Sequence, residues 1–273
     1  MTVVFDDRAR KRLINRVNEN DFKYTGWKVR DIEVKEIDTS IAREYISTFH
    51  YSKTFPDSTR FCYGAFIKNQ IIGVICYGMG CGKNQYLAVI PDIQNGQYIE
   101  LTRVWCMNEA PRNTESKFIS ETLKMLPKDI ILVLSFSDNA QGHCGLIYQA
   151  TNWYYLGVNK GGKMLLLPNG IQKHPRLLGI YRDRHPEYSH MNNKELMELL
   201  GYEYCEGGSK HRYVYLRGGG SLKRKMYMQI TNRILPYPKS NTKTDLIDEW
   251  QIINNEKEKE ESMQMTIFDF IEV

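Results

Sequence analysis

Period-two and short continuous apolar runs dominate the first half of the chain, and helical spacing interrupts them locally. Trp27, Val29, Ile32, Val34 and Ile37 alternate well enough to predict a first strand. TSIAREYISTFH (39–50) reads as a helix capped by Thr39 or Ser40. FCYGAFIK (61–68) and QIIGVICYG (70–78), parted by Asn69, are rich in aromatic and β-branched residues and predict an antiparallel pair. NQYLAVIP (84–91) and YIELTRVWC (98–106) extend the same sheet.

A helix starting near Asn113 or Thr114 then carries Phe118, Ile119, Thr122, Leu123 and Leu126 on one face. DIILVLSFSD (129–138) reads as a buried strand, GHCGLIYQATN (142–152) as a short helix and WYYLG (153–157) as the next strand. A basic, proline-bearing loop follows, with a helix in NNKELMELLGYEY that ends at Gly201 and a strand in KHRYVYL (210–216). This order predicts a mixed α/β (α+β) sheet rather than a repeating βαβ series. Three parts are expected: a basic N-terminal helix within 1–25, a main domain over 26–239, and a flexible acidic tail over 240–273.

Composition narrows the function classes. Hydrophobic residues at 42% and charged residues at 25% suit a globular protein with a full core. No apolar run is long enough to span a bilayer, and MTVVFDDRARKR has no apolar signal core, so a cytoplasmic location is expected. Six cysteines without a CxxC pair predict reduced thiols rather than a disulfide frame or zinc site. The net charge of +5 divides into −6 for residues 240–273 (three Lys against nine Asp or Glu) and +11 for the rest. A basic body with an acidic tail suits a polyanionic partner.

Candidate chemistry clusters between Tyr98 and Tyr155. Arg103 sits on a predicted strand, either as its exposed member or as a clamp for a phosphate or carboxylate. PRNTES (111–116) starts a helix, with Asn113 or Thr114 as cap, and the same helix start could bind an anion with help from Arg112. Asp138 follows a hydrophobic strand, either as a turn residue or to hold or deprotonate an amine. Tyr148 packs, or serves as a general acid for a departing group. His50 and Tyr51 sit on a loop that suits substrate contact better than metal ligation.

Residues 205–239 hold eight Lys or Arg, among them Lys210, Arg212, Lys223, Arg224 and Lys225, interleaved with Tyr213, Tyr215, Tyr227 and Tyr237. Such a stretch can hold phosphates while rings stack on bases. The terminal QMTIFDFIEV is apolar at the end of a polar tail and reads as a docking peptide. Gln264, Met265, Ile267 and Phe268 also match the pentapeptides that bind bacterial sliding clamps.

HYS (50–52), LTRVW (101–105), PRNTES, SFSD (135–138) and GHCGLIYQATNWYYLG (142–157), with KHRYVYL and PYPK beyond, resemble the Mom-type phage DNA modification proteins. That resemblance spans roughly residues 40–239 and implies a GCN5-related acetyltransferase-like (GNAT) fold. It implies an enzyme that converts the exocyclic amine of adenine in double-stranded DNA to a carbamoylmethyl amine, shielding phage DNA from restriction. It places Arg103 and Ser116 at the cofactor or acyl donor, Asp138 and Tyr148 at the reaction centre, and Tyr77 beside it. His50 and Tyr51 fall to substrate or metal. The implied donor is acetyl-CoA or another small acyl donor, although PRNTES replaces the glycine-containing phosphate loop of ordinary acetyl-CoA enzymes. Iron is a helper suggested by the resemblance, without a ligand pattern in this sequence. Two rivals stand beside this reading: an acetyltransferase acting on a small amine or protein, and a non-catalytic DNA-binding protein.

Overall fold

The computed structural model describes residues 27–139 and 142–238. The basic N-terminal helix, the acidic tail and the docking residues Gln264, Met265, Ile267 and Phe268 lie outside the described residues. The chain forms two compact units. The first is built from residues up to Phe136, Gly145–Leu156 and Arg212–Tyr237, and the second from Ser137–Cys144, Gly157–His211 and the stretch from Pro238.

A seven-stranded mixed sheet organises the first unit, in the order β1-β2-β3-β4-β5-β10-β6. Its strands are β1 (Glu33–Glu36), β2 (Thr59–Ile67), β3 (Gln70–Gly78), β4 (Tyr98–Cys106), β5 (Leu132–Asp138), β6 (Tyr154–Asn159) and β10 (Lys210–Leu216). The last residues of β5 and β6 and the first two of β10 belong to the second unit. Strands β1 to β4 pair antiparallel. The β2–β3 turn uses Lys68 and Asn69, both at positive φ, the conformation a two-residue hairpin demands. The predicted mixed sheet is therefore present. The first strand is shorter than predicted, because residues 29–31 close a 3-10 turn before it.

Successive β4 residues face opposite sides of the sheet and join separate cores. Ile99 and Leu101 pack with Phe118, Ile119 and Leu123 of helix α3 (Thr114–Met125), whereas Tyr98 packs with Tyr86, Leu134 and Met226. Met226 comes from helix α7 (Gly220–Ile230). Helix α1 (Thr39–Phe49) closes a third cluster by placing Ala42 and Ile46 on Cys62, Val74 and Cys76. Asp38, not Thr39 or Ser40, is its N-cap, and no side chain caps it. The stretch predicted as a strand from Asn84 instead contains helix α2 (Lys83–Leu87), whose Tyr86 is fully buried and stacks on Tyr98 at 4.1 Å.

Helix α4 (Leu146–Gln149) is a single turn entered through Gly145 at φ +77. A Cβ at Gly145 would lie 2.4 Å from the Tyr213 ring, so both backbone and packing require glycine here.

The second unit holds a three-stranded antiparallel sheet, β8-β7-β9, built from β7 (Lys163–Leu166), β8 (Gln172–Lys173) and β9 (Glu203–Glu206). Helix α5 (Arg176–Arg184) occupies part of what reads as loop in the sequence. Helix α6 (Asn193–Leu200) starts at a capping box between Asn192 and Glu195 and ends at Gly201 with φ +66, where the sequence puts it. Leu165, Leu178, Leu196 and Met197 form the core of this unit.

Replacing Gly145 by Ala combines a left-handed backbone with an overpacked ring contact, each costing about 1–3 kcal/mol. Urea unfolding of Gly145→Ala is expected to show a loss of about 2–4 kcal/mol with an unchanged m-value.

Candidate active site

Strands β4 and β5 part company within the first unit. They pair in parallel only from Tyr98 to Glu100 against Leu132 to Leu134, although both continue further. A parted strand leaves backbone groups that need other partners. The first β4 carbonyl beyond the pairing, that of Leu101, accepts a hydrogen bond from Ser135 Oγ at 2.8 Å. Ser135 Oγ is also 2.8 Å from the Tyr148 phenol oxygen. A serine hydroxyl has one proton and a carbonyl can only accept, so the phenol donates to Ser135 and Ser135 donates to Leu101.

Tyr148 is buried among Trp153 (5.2 Å between ring centroids) and Tyr213 (5.1 Å). Desolvation pushes its phenol up to about 12, against the Ser135 hydrogen bond, which works the other way. It is therefore protonated at neutral pH, as a general acid must be.

One β4 residue later the ladder slips. Leu101 pairs with Tyr77 and Arg103 with Cys76, leaving Thr102 as an extra residue whose Oγ1 donates to the Cys76 carbonyl at 3.0 Å. Such a bulge re-aims the side chain after it. Arg103 then donates from Nε to the Thr54 carbonyl (3.0 Å), from one terminal nitrogen to Thr54 Oγ1 (2.9 Å), and from the other to the Thr102 carbonyl (2.6 Å). Burial lowers its pKa, opposed by Tyr51, Glu100 and Cys76.

The loop that Arg103 holds contains the HYS motif. His50 is buried, its Nδ1 accepting from the Ser52 amide at 3.1 Å, which leaves the proton of a neutral ring on Nε2. Its ring packs on exposed Tyr51 with centroids 4.3 Å apart. Tyr51 and Glu100 lie within electrostatic reach of both Arg103 and Tyr148, so these four residues share one neighbourhood. From sequence no role falls to Glu100 or Ser135, although Ser135 opens the SFSD motif. Their signal was the polar interruption of two apolar strands, which alternation alone explains equally well. Gly80 lies against Glu100, where a Cβ would stand 2.6 Å from a carboxylate oxygen.

Other expectations fall elsewhere. Tyr77 is fully buried and hydrogen-bonded to Thr122 of α3 at 2.8 Å, a core position rather than the lining of a site. Asn113 is the N-cap of α3 at φ +67, but its side chain makes no capping bond, and the buried Thr114 hydroxyl donates to the Pro111 carbonyl at 2.6 Å. The predicted side-chain cap is thus absent. Arg112 is exposed and Ser116 half-buried in the first turn, beside Glu115. Asp138 ends β5 and belongs to the second unit, where its carbonyl accepts from the His143 amide at 3.2 Å.

The basic stretch is largely committed to structure. Arg212 is 5% exposed, which removes it from a phosphate-facing surface, and Tyr213 is fully buried. Arg217 donates to the carbonyls of Leu126, Pro127 and Ile130, and Arg233 to those of Ala88, Val89 and Gln229. Lys225 pairs with Asp92 at 3.8 Å. Lys210 and Arg224 remain exposed, and half-buried Lys223 lies over the Tyr215 ring at 5.6 Å. Among the described residues no group of three or more His, Cys, Asp or Glu could hold a metal ion, and no helix is long and apolar enough to cross a membrane.

A family model, the Mom protein family, matches residues 31–239. The chain belongs to the Mom protein family. A Mom relative, the methylcarbamoylase mom of Escherichia phage Mu, is 33% identical over 147 residues, 53% of this chain. The matched region covers 61% of that relative's length. Solved structures similar to this Mom-family chain include the aminoglycoside acetyltransferase AAC(6')-Ib with coenzyme A (8% identity, TM-score 0.40), matched over 73% of this chain and 99% of that one. A GNAT family acetyltransferase from Elizabethkingia anophelis with acetyl-CoA bound matches 68% of this chain and 99% of its own (9% identity, TM-score 0.35).

Tyr63 and Tyr148 are both pushed up to about 12 by burial, above the ordinary value near 10. Below about pH 10 both states are protonated and their contribution to stability is intact. Between about 10 and 12 the unfolded chain ionises first and that contribution is lost. Denaturation midpoints measured across this window should fall with rising pH, and Tyr148→Phe should flatten part of the fall.

Proposed function

We propose that this chain is a DNA-modifying transferase that places a carbamoylmethyl or related acyl-derived group on the exocyclic amine of adenine, protecting phage DNA from host restriction. The observation that carries the reading is the Tyr148–Ser135–Leu101 relay at the parting of β4 and β5, in a chain of the Mom family. A buried, protonated phenol and a re-aimed arginine that share Tyr51 and Glu100 as electrostatic neighbours suit group transfer from a small donor.

In the proposed reaction the amine nitrogen attacks the donor carbon and the new N–C bond forms. The leaving group departs with the bonding electrons and takes the Tyr148 proton, while Asp138 accepts a proton from the amine. Arg103 holds an anionic part of the donor, and the start of α3, with Arg112, Asn113 and Ser116, offers amides to another, whereas the Thr114 amide and hydroxyl are both taken by the Pro111 carbonyl. Glu115 in that first turn weakens the fit to a highly charged pyrophosphate, as does the lack of glycine between Pro111 and Ser116. Acetyl-CoA or another small acyl donor remains the donor class. A plain acetyl transfer would give an amide, so an alkylated amine bearing an amide needs a different donor or a further step.

His50 and Tyr51 contact the substrate in this reading, and no step runs through iron. Because a paired adenine hides its amine, the base is turned out of the stack. Lys210, Lys223 and Arg224 contribute phosphate contacts.

Nucleoside mass spectrometry on plasmid DNA from cells expressing the chain should reveal a modified deoxyadenosine. Asp138→Ala, Arg103→Ala and Tyr148→Phe should each lower its yield by about 100-fold or more, the usual range for losing an acid, base or positioned donor. Unmodified nucleosides with the wild-type chain would refute the reading, and acetyl-CoA turnover without DNA would favour a small amine or protein as acceptor.

We further propose that Gln264, Met265, Ile267 and Phe268 bind the replication sliding clamp. Deleting residues 262–273 should abolish clamp pull-down while leaving activity on purified DNA intact. Retained pull-down would discard the docking peptide.

A further inference from the structure

We infer that the β7–β8 hairpin of the second unit is a duplex-DNA contact, with Lys173 and Arg176 on phosphates and Ile171 as an apolar tip entering the groove. The inference deepens the DNA reading above and rests on it. From Gly157 to Arg182 the chain carries Lys160, Lys163, Lys173, Arg176 and Arg182 and no Asp or Glu at all. Arg182 is structural, donating to the Met191 carbonyl (3.0 Å) and to Asn193 Oδ1 (2.5 Å). Lys160, Lys163, Lys173 and Arg176 are exposed, and none is in an ion pair among the described residues.

The hairpin is built to project these groups. Leu165, opposite Lys173 in the register, is fully buried on Leu178 and Leu196 and fixes the base. Beyond it every residue from Pro168 to His174 is exposed. The tip is nonetheless ordered by its own bonds: Gly170 N–H to the Leu167 carbonyl (2.8 Å), Leu167 N–H to the Ile171 carbonyl (3.0 Å), and Ile171 N–H to Asn169 Oδ1 (3.1 Å). Gly170 takes φ +78, the left-handed residue that follows such a turn. Past the hairpin, His174 Nδ1 accepts from the Arg176 amide at 3.1 Å and sets the entry to α5.

A hairpin projecting from the edge of a small sheet can enter a DNA groove, and Lys173 and Arg176, in no ion pair among the described residues, hold phosphates without an internal partner to displace. Ile171, 48% exposed on a rigid tip, has the character of the apolar wedges that unstack bases. The contrast with residues 205–239 is direct, since Arg212, Arg217, Lys225 and Arg233 there are buried or already bonded within the fold.

Fluorescence anisotropy of the full chain on duplex DNA across a salt series tests this. Lys173→Glu with Arg176→Glu should weaken binding by about tenfold or more and lower the salt slope by about 1.8, the value for two phosphate contacts. Lys173→Gln with Arg176→Gln should lower the slope similarly with a smaller loss of affinity, and it keeps the test open if the reversed pair fails to fold. Ile171→Ala should keep the slope but reduce the largest fluorescence rise found when 2-aminopurine is scanned along the duplex. Wild-type affinity and slope in the charge variants, with wild-type DNA modification intact, would overturn the hairpin contact and leave the proposed function standing. A wild-type 2-aminopurine signal in Ile171→Ala would overturn the role of the tip. No duplex binding by the wild-type chain would bring down both.

Discussion

The separation of β4 from β5 after Glu100 is the constraint on which the described site depends. A continuous ladder would satisfy the Leu101 carbonyl with a β5 amide. Here a side chain does so, and that side chain, Ser135, in turn receives the Tyr148 phenol. The unpaired backbone thus dictates a serine on β5 and a tyrosine on the short helix after it, both inside an otherwise apolar interior. The bulge at Thr102 acts on the same strand one step later and turns Arg103 toward the loop that begins at His50.

Around this polar seam the fold is held by aromatic packing and by arginines that finish helix and loop ends. Tyr148, Trp153, Tyr155 and Tyr213 form a continuous ring cluster, and only a glycine at 145 lets α4 approach it closely. Arg217 gathers three carbonyls at the end of α3 and the loop after it, the usual fate of a helix's last carbonyls when no glycine cap is present. Arg233 does the same after α2.

Strands and long helices were readable from the chain because period-two and period-3.6 patterns survive in it: β2, β3, β4, β5, β10, α3 and α6 stand where those patterns put them. The misplacements have physical causes. NQYLAVIP has strand composition, yet Tyr86, Val89 and Ile90 reach their cluster from a short helix and its exit. Thr114 looks like a cap, but its hydroxyl is drawn back to Pro111. Charge density at 205–239 could not reveal which cations the fold takes up, because buried Arg212 and carbonyl-bound Arg217 read in sequence like Lys223 and Arg224. Arg103 and Tyr148 were legible as candidates from strand position and motif. Glu100 and Ser135 were not, because the strand separation that makes them matter is a property of pairing rather than of composition.

Thr54 and Arg103 together make a latch. Two of the three guanidinium bonds end on this single loop residue, and the two N–H groups that the three leave over are the ones an incoming anion would meet. Replacing Arg103 therefore removes a loop anchor along with the cation.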